Sequence, residues 1–84
     1  MLNYYLTVRS VTQGQKGRDA LTRERIRCRL LRAPRELGAK GCAYALALPW
    51  EDGARALRVL DRAGVRVEGR WLRREDGSLG RVEG

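Results

Sequence analysis

The strongest constraint on the fold is the alternation of apolar and polar residues near the N-terminus. In residues 2–9, the apolar side chains of Leu2, Tyr4, Leu6 and Val8 alternate with Asn3, Tyr5, Thr7 and Arg9. A period of two is typical of a β-strand with one buried face. A chain of 84 residues is long enough for one small domain only, and this strand must belong to it. A domain of this size buries only about 60% of its unfolded surface.

A helix is predicted directly after this first strand. Ser10 or Thr12 can cap it, and its sparse apolar residues extend to residue 26. Gly14 and Gly17 are three residues apart, which places them on one helix face. Because glycine has no side chain, this face allows a sheet to approach the helix closely.

The remaining elements are predicted from two spacings of apolar residues, every second residue for a strand and about every 3.6 residues for a helix. Alternating runs at residues 26–31 and 42–48 predict the second and third strands, and a third run at 65–72 predicts the fourth. Between them, residues 49–64 carry apolar side chains at helical spacing and end in Gly64, which is a favourable helix terminator. The elements therefore occur in the order βαββαβ.

This order predicts an α+β protein of the ferredoxin-like type. Right-handed crossovers and short connections favour a four-stranded antiparallel sheet in the order 4-1-3-2, with both helices on one face. We expect residues 1–72 to form this single domain. The polar, glycine-containing residues 73–84 are predicted to be a flexible C-terminal tail.

The charge of the chain is strongly basic and uneven. The formal net charge is +8, and residues 1–40 contain ten basic but only three acidic residues. Such a surface attracts phosphates or an acidic protein face. No apolar run approaches the ~20 residues of a membrane span, and the first residues lack the pattern of a secretory signal. We therefore expect a cytoplasmic protein that does not contact a membrane.

The chemistry open to the chain is limited by its residue types. It contains two cysteines and no histidine, so the familiar Cys/His zinc sets cannot form within one chain, and we expect neither a metal nor a cofactor. Cys28 alternates with Ile26 and Leu30 in an apolar row, which favours a packing role. Cys28 and Cys42 are expected at opposite ends of an antiparallel strand pair, too far apart for a disulfide.

Cys42 is the candidate functional residue. In the predicted topology it begins the third strand beside the end of the first strand, where the first helix also begins. Unpaired backbone N–H groups and nearby cations there can lower the pKa of a thiol. The residue pattern alone also allows a small buried hydrophobic side chain at this position. The supporting residues predicted around the thiol are Arg9, Ser10, Thr12, Arg35, Lys40 and Gly41.

A family resemblance adds to this prediction. The run PRELGAKGCAYAL, followed by PWEDGARALRVLDRAGVRVEG, resembles the Se/S carrier protein-like family of small bacterial domains. Its most specific part is the spacing from the Pro-Arg loop to the Gly-Cys pair. In this chain Arg25 stands where the family usually has a glycine after its first helix, and Cys28 stands where valine is usual.

The resemblance implies a ferredoxin-like domain whose loop cysteine, here Cys42, carries sulfur or selenium as a persulfide or selenopersulfide. Its partners would be a donor protein, such as a cysteine desulfurase, and an acceptor protein. In this role the chain would not turn over substrate on its own. The choice between sulfur and selenium stays open at this point.

Two other classes of function remain open from the residues. A nucleic-acid-binding module could use Tyr5 for base stacking and a basic row for phosphates, although the alanine-rich third strand offers little aromatic surface. A structural or regulatory protein could form a homodimer through the alanine-lined sheet face or a strand edge. The basic row, which would equally suit an acidic partner, consists of Arg27, Arg29, Arg32 and Arg35.

Overall fold

The structure, a computed structural model, describes residues 1–34, 37 and 43–82. It is an α+β fold in which two helices pack on an antiparallel sheet of five strands. A 3₁₀ turn, Trp50–Asp52, leads directly into the second helix. The strands are β1 (Tyr4–Val8), β2 (Arg29–Arg32), β3 (Tyr44–Leu48), β4 (Gly69–Arg73) and β5 (Leu79–Arg81), and the helices are α1 (Val11–Arg23) and α2 (Gly53–Arg62).

The sheet contains one strand more than predicted. Its order is β2-β3-β1-β4-β5, so the first four strands follow the predicted order 4-1-3-2, and β5 is added outside β4. The prediction of four strands was wrong because β5 is only three residues long, too short for a clear alternation. This strand lies within residues 73–84, the segment predicted as a flexible tail.

A tight turn explains why the chain returns to form β5. Gly77 has φ of +88°, a conformation that glycine adopts without steric cost. The hydroxyl and backbone N–H of Ser78 both donate to Asp76 Oδ1, at 2.6 and 2.9 Å, and these hydrogen bonds lower the pKa of the Asp76 carboxyl. The turn is thus stabilised by aspartate, glycine and serine, residue types that are typical of turns.

Both helices cover the same face of the sheet. The side chains of Leu6, Leu46 and Leu48 point to this face and are fully buried. They form one core cluster with Leu21 of α1 and Leu60 of α2. The apolar residues that alternate along β1 and β3 therefore form the surface on which the amphipathic helices pack.

The paired glycines of α1 have the close-approach role predicted for them. A Cβ atom on Gly14 would lie 2.5 Å from Leu30 Cδ1, and one on Gly17 would lie 2.8 Å from Leu46 Cδ1. A side chain at Gly17 would displace the fully buried Leu46, so glycine is required there for the observed distance between α1 and the sheet. A side chain at Gly14 would meet only the end of the half-buried Leu30 side chain, which can move.

The end of α1 contains an unfavourable backbone conformation. Arg25 has φ of +59°, and the next N–H, that of Ile26, bonds back to Leu21 C=O at 2.9 Å. The corresponding position after α2 is Gly64, with φ of +76°. The left-handed conformation costs a residue with a side chain about 1–2 kcal/mol.

Arg25→Gly is therefore expected to raise the free energy of unfolding by about 1 kcal/mol. The matched control is Arg23→Gly, which places glycine in the last turn of α1 and should lower stability by about 1 kcal/mol. Urea titration followed by circular dichroism measures both values. A loss of stability in Arg25→Gly similar to that in Arg23→Gly would contradict the assigned backbone conformation.

Candidate functional site

The predicted site lies where β3 begins and β1 ends. The strands are antiparallel, with Val8 opposite Tyr44. The N–H of Ala33 donates to Ala43 C=O at 2.9 Å, which joins the two ends of the connection between β2 and β3. Four predicted site residues within this connection, Arg35, Lys40, Gly41 and Cys42, lie outside the described residues.

Ser10 has a structural role at this edge. Its Oγ accepts the Gln13 N–H at 3.2 Å, and its carbonyl accepts the Gly14 N–H at 3.0 Å. Ser10 is thus the N-cap of α1, as one of the two predicted alternatives held. Thr12 lies in the first turn of the helix and is exposed.

Arg9 is also at this edge, but it has an acidic neighbour. Its side chain is 72% exposed, and Nε lies 3.8 Å from Glu68 Oε2. The same carboxylate oxygen is 3.2 Å from Arg66 Nε. The positive charge of Arg9 is therefore screened by solvent, and its ion pair with Glu68 is weak.

The sheet face opposite the helices is covered where the alanines lie, although the residue pattern had left this face available to a partner. Leu37, from the connection between β2 and β3, is only 1% exposed. It forms a second core cluster with Tyr5, Ala45 and Ala47. The small alanines allow Leu37 to lie directly against the strands, so the alanine row provides space for the chain's own connection. Ala43, at the end of the row, is exposed.

Tyr5 is not available for base stacking. It is 7% exposed, and the Arg73 guanidinium carbon lies 5.3 Å from its ring centroid. Arg73 Nε and Nη2 also donate to the Tyr5 hydroxyl, at 3.2 and 2.9 Å. The nucleic-acid hypothesis loses its best aromatic residue because this ring is already covered by an arginine of β4.

The predicted basic row is exposed but divided between two faces. Arg27, Arg29 and Arg32 are all exposed. Arg32 lies on the face that carries the helices, with its guanidinium carbon 5.8 Å from the Tyr44 ring centroid. Arg29, three positions earlier on β2, has the opposite parity and therefore points to the other face. The fourth residue, Arg35, lies outside the described residues.

Cys28 has the structural environment predicted for it. It is a free thiol of intermediate exposure that packs against the main core cluster. Its Sγ lies 3.9 Å from the Arg18 carbonyl oxygen. Burial raises the pKa of Cys28, and the hydrogen bond with Thr22 and the charge of Arg18 offset this effect only in part. At neutral pH the thiolate is therefore a minor form of Cys28.

Two general features of the described part of the chain bear on function. Within residues 1–34, 37 and 43–82, no three or more Cys, Asp or Glu side chains are grouped so that they could hold a metal ion. In the same residues, no helix has the length and apolar character needed to cross a bilayer.

Fold and site together define a small α+β protein with a helix-covered antiparallel sheet and a cysteine-bearing connection between β2 and β3. The family model described as "Putative Se/S carrier protein-like" matches residues 3–72. The chain therefore belongs to this Se/S carrier protein-like family, as its resemblance had indicated. No curated protein and no solved structure shows a significant match to it.

Two features of the structure were not predicted from the sequence. Leu37 was not named as a core residue, although an apolar side chain in a basic loop is a signal that the loop packs against another element. Arg70 was not named as a binding residue, but it is only partly exposed and borders a cleft beside α2. Neither position follows from local periodicity because both depend on distant elements.

Proposed function

We propose that this protein is a sulfur or selenium carrier that uses Cys42 as its acceptor thiol. The Cys42 thiolate attacks the outer sulfur of a donor persulfide, the sulfur–sulfur bond of the donor breaks, and the donor leaves as a thiolate. Cys42 then holds the transferred atom as a persulfide, which an acceptor thiol removes by the same exchange. No oxidant or reductant is consumed, and the selenium reaction has the same balance.

Family membership is the observation that carries this proposal. The matched residues, 3–72, include Cys42, and the family is named for sulfur or selenium carriage. The chain has only two cysteines. Burial raises the pKa of Cys28, which lowers the thiolate content of Cys28 at neutral pH. Cys42 is thus the thiol to which we assign the carrier role.

The edge of the sheet offers a favourable setting for an anion. The end of β1 and the N-terminus of α1 lie beside the start of β3, and a helix N-terminus favours negative charge. In our proposal Arg35 and Lys40 add positive charge to the thiolate and to the leaving persulfide anion, and Gly41 leaves the sulfur accessible. Arg9, Ser10 and Thr12 complete the surroundings, with Ser10 acting through the helix that it caps.

The proposed partners are proteins with acidic surfaces. A net charge of +8 speeds encounter with such surfaces, and Arg27, Arg29 and Arg32 are exposed. A reduced thiol suits the cytoplasm, where we place the reaction. The observed order of the first four strands supports a ferredoxin-like relationship. The protein carries the transferred atom between enzymes, without turnover of its own.

Incubation of the reduced protein with a cysteine desulfurase and cysteine tests this function. We expect a mass increase of one sulfur atom on Cys42, retained in Cys28→Ser and absent in Cys42→Ser, and passage of that sulfur to a second thiol. Intact-mass and peptide mass spectrometry measure each step. Sulfur on Cys28 alone, or no adduct in any variant while a free-cysteine control protein is loaded, would contradict the proposal.

A further inference from the structure

A cleft opens between α2 and the β4–β5 hairpin, on the face that carries the helices. The part nearer Trp50 has a volume of about 460 Å³, and the adjoining part nearer Glu68 has a volume of about 380 Å³. Both parts share the lining residues Leu57, Arg70 and Val82. These volumes are within the range of ligand sites, roughly 300–1,000 Å³.

The cleft follows from the extra strand. Val82, just after β5, donates its N–H to Arg70 C=O at 2.8 Å, so the sheet continues beyond the area that the helices cover. At its inner side, α2 begins directly on the ring of Tyr4, where a Cβ on Gly53 would lie 2.7 Å from Cε2. The helix is thereby held against β1, which leaves β4 and β5 to form the floor of the cleft.

Arg70 lines both parts of the cleft. It is half-buried and lies beside the Tyr4 hydroxyl. Burial raises the pKa of Tyr4, while the charge of Arg70 and its hydrogen bond act in the opposite direction. None of the ion pairs among the described residues includes Arg70. A guanidinium that is partly removed from water favours a carboxylate partner in bidentate geometry.

The walls of the cleft are apolar and aromatic. Trp50 is 47% exposed and meets the Tyr4 ring edge to face, with the centroids 5.0 Å apart. Leu57 and Val82 are half-buried on opposite sides. Tryptophan and arginine are among the residue types that carry most of the binding energy at protein interfaces, and the apolar walls exclude water around them.

A glutamate side chain lines each end of the cleft. Glu51 lines the end near Trp50. Glu68 lines the other end together with Arg81, and Arg9 and Arg66 pair with Glu68 there. A polyanion would pass close to both carboxylates. A single carboxylate between apolar groups would instead meet the Arg70 guanidinium without approaching either glutamate.

We propose that this cleft binds a segment of an acidic partner protein that presents a glutamate or aspartate side chain to Arg70, with the flanking apolar side chains against Trp50, Leu57 and Val82. The occupant follows from charge complementarity with a half-buried guanidinium in a protein of net charge +8. This binding does not require the Cys42 thiol, so it goes beyond the carrier chemistry and can fail or succeed independently of it.

Titration of the ¹⁵N-labelled protein with the peptide N-acetyl-Leu-Glu-Leu-amide at millimolar concentration tests the proposal by NMR. We expect chemical-shift changes at the Trp50 indole N–H and at the Leu57 and Val82 amides. Replacement of the peptide glutamate by glutamine should weaken binding about tenfold or more, since the charge-assisted hydrogen bonds are lost. This comparison uses only the wild-type protein, so it does not depend on the folding of any variant.

Protein variants provide the second arm of the test. Arg70→Gln should weaken binding of the glutamate peptide about tenfold, while Arg58→Gln, an exposed position on α2, should leave it unchanged. Arg70→Lys keeps the charge without the fork and should give an intermediate loss. Equal binding of the two peptides, the absence of shifts at the cleft, or stronger shifts at the same signals with a single-stranded oligonucleotide would overturn the proposal.

Discussion

Leu37→Ala is expected to lower the free energy of unfolding by about 2–3 kcal/mol. Leu37 is 1% exposed and packs on Tyr5, Ala45 and Ala47. Removing three side-chain carbons loses their transfer free energy and leaves a cavity over two small alanines, which cannot fill it. Urea unfolding followed by fluorescence and circular dichroism measures the change.

The control for this prediction is Leu2→Ala. Leu2 packs at the margin of the same cluster but is only half-buried, so its loss should cost about 1 kcal/mol or less. Equal effects of the two substitutions would mean that Leu37 does not close the face opposite the helices. In that case the connection that carries Cys42 would not be anchored at this point.

Gly17→Val is expected to destabilise the protein by about 3 kcal/mol, at the upper end of the usual cost of overpacking. A Cβ at this position would lie 2.8 Å from Leu46 Cδ1 and 3.0 Å from Leu60 Cδ2. The two leucines belong to β3 and α2 and are both fully buried. Neither can move away without disturbing another layer of the core, so α1 must shift.

Gln15→Val is the matched control for Gly17→Val. Gln15 is an exposed residue of the same helix, so valine there should cost only a few tenths of a kcal/mol through helix propensity. Thermal and urea unfolding of both variants give the comparison. A Gly17→Val protein as stable as Gln15→Val would show that α1 does not approach the sheet as closely as the structure indicates.

Local sequence rules were sufficient for the main elements. The alternation of Leu6 and Val8 predicted β1, Ser10 was correctly named among the caps of α1, and Gly64 correctly ended the second helix region. These predictions succeeded because each depends on neighbouring residues alone: a side-chain period, a capping hydroxyl, or a backbone angle that glycine adopts easily.

The missed elements depended on distant contacts. The turn at Asp76–Gly77 is a recognisable hairpin signal, but β5 is only three residues long and is defined by its pairing with β4. Similarly, Arg25 takes the left-handed conformation without the glycine that marks such a position. Its conformation follows from the packing of Ile26, which is 2% exposed, in the core that α1 helps to form.

For the candidate site, the sequence by itself determined which side chains are available: two cysteines, no histidine and a strongly basic first half. The residue pattern also brought the start of β3 beside the end of β1, a prediction that the register of Tyr44 opposite Val8 confirms. The possible chemistry could be inferred because the composition limits the reactive side chains. The strand order could be inferred because alternating apolar residues and short connections allow few arrangements.

Only the tertiary structure decided which strand side chains are accessible to a partner. Tyr5 and Arg70 both alternate regularly along their strands, yet Arg73 covers Tyr5, and Arg70 borders a cleft between α2 and β5. Exposure is the result of what packs on a strand from elsewhere in the chain. Periodicity assigns a residue to a face, but the elements that cover that face are brought there by long-range packing.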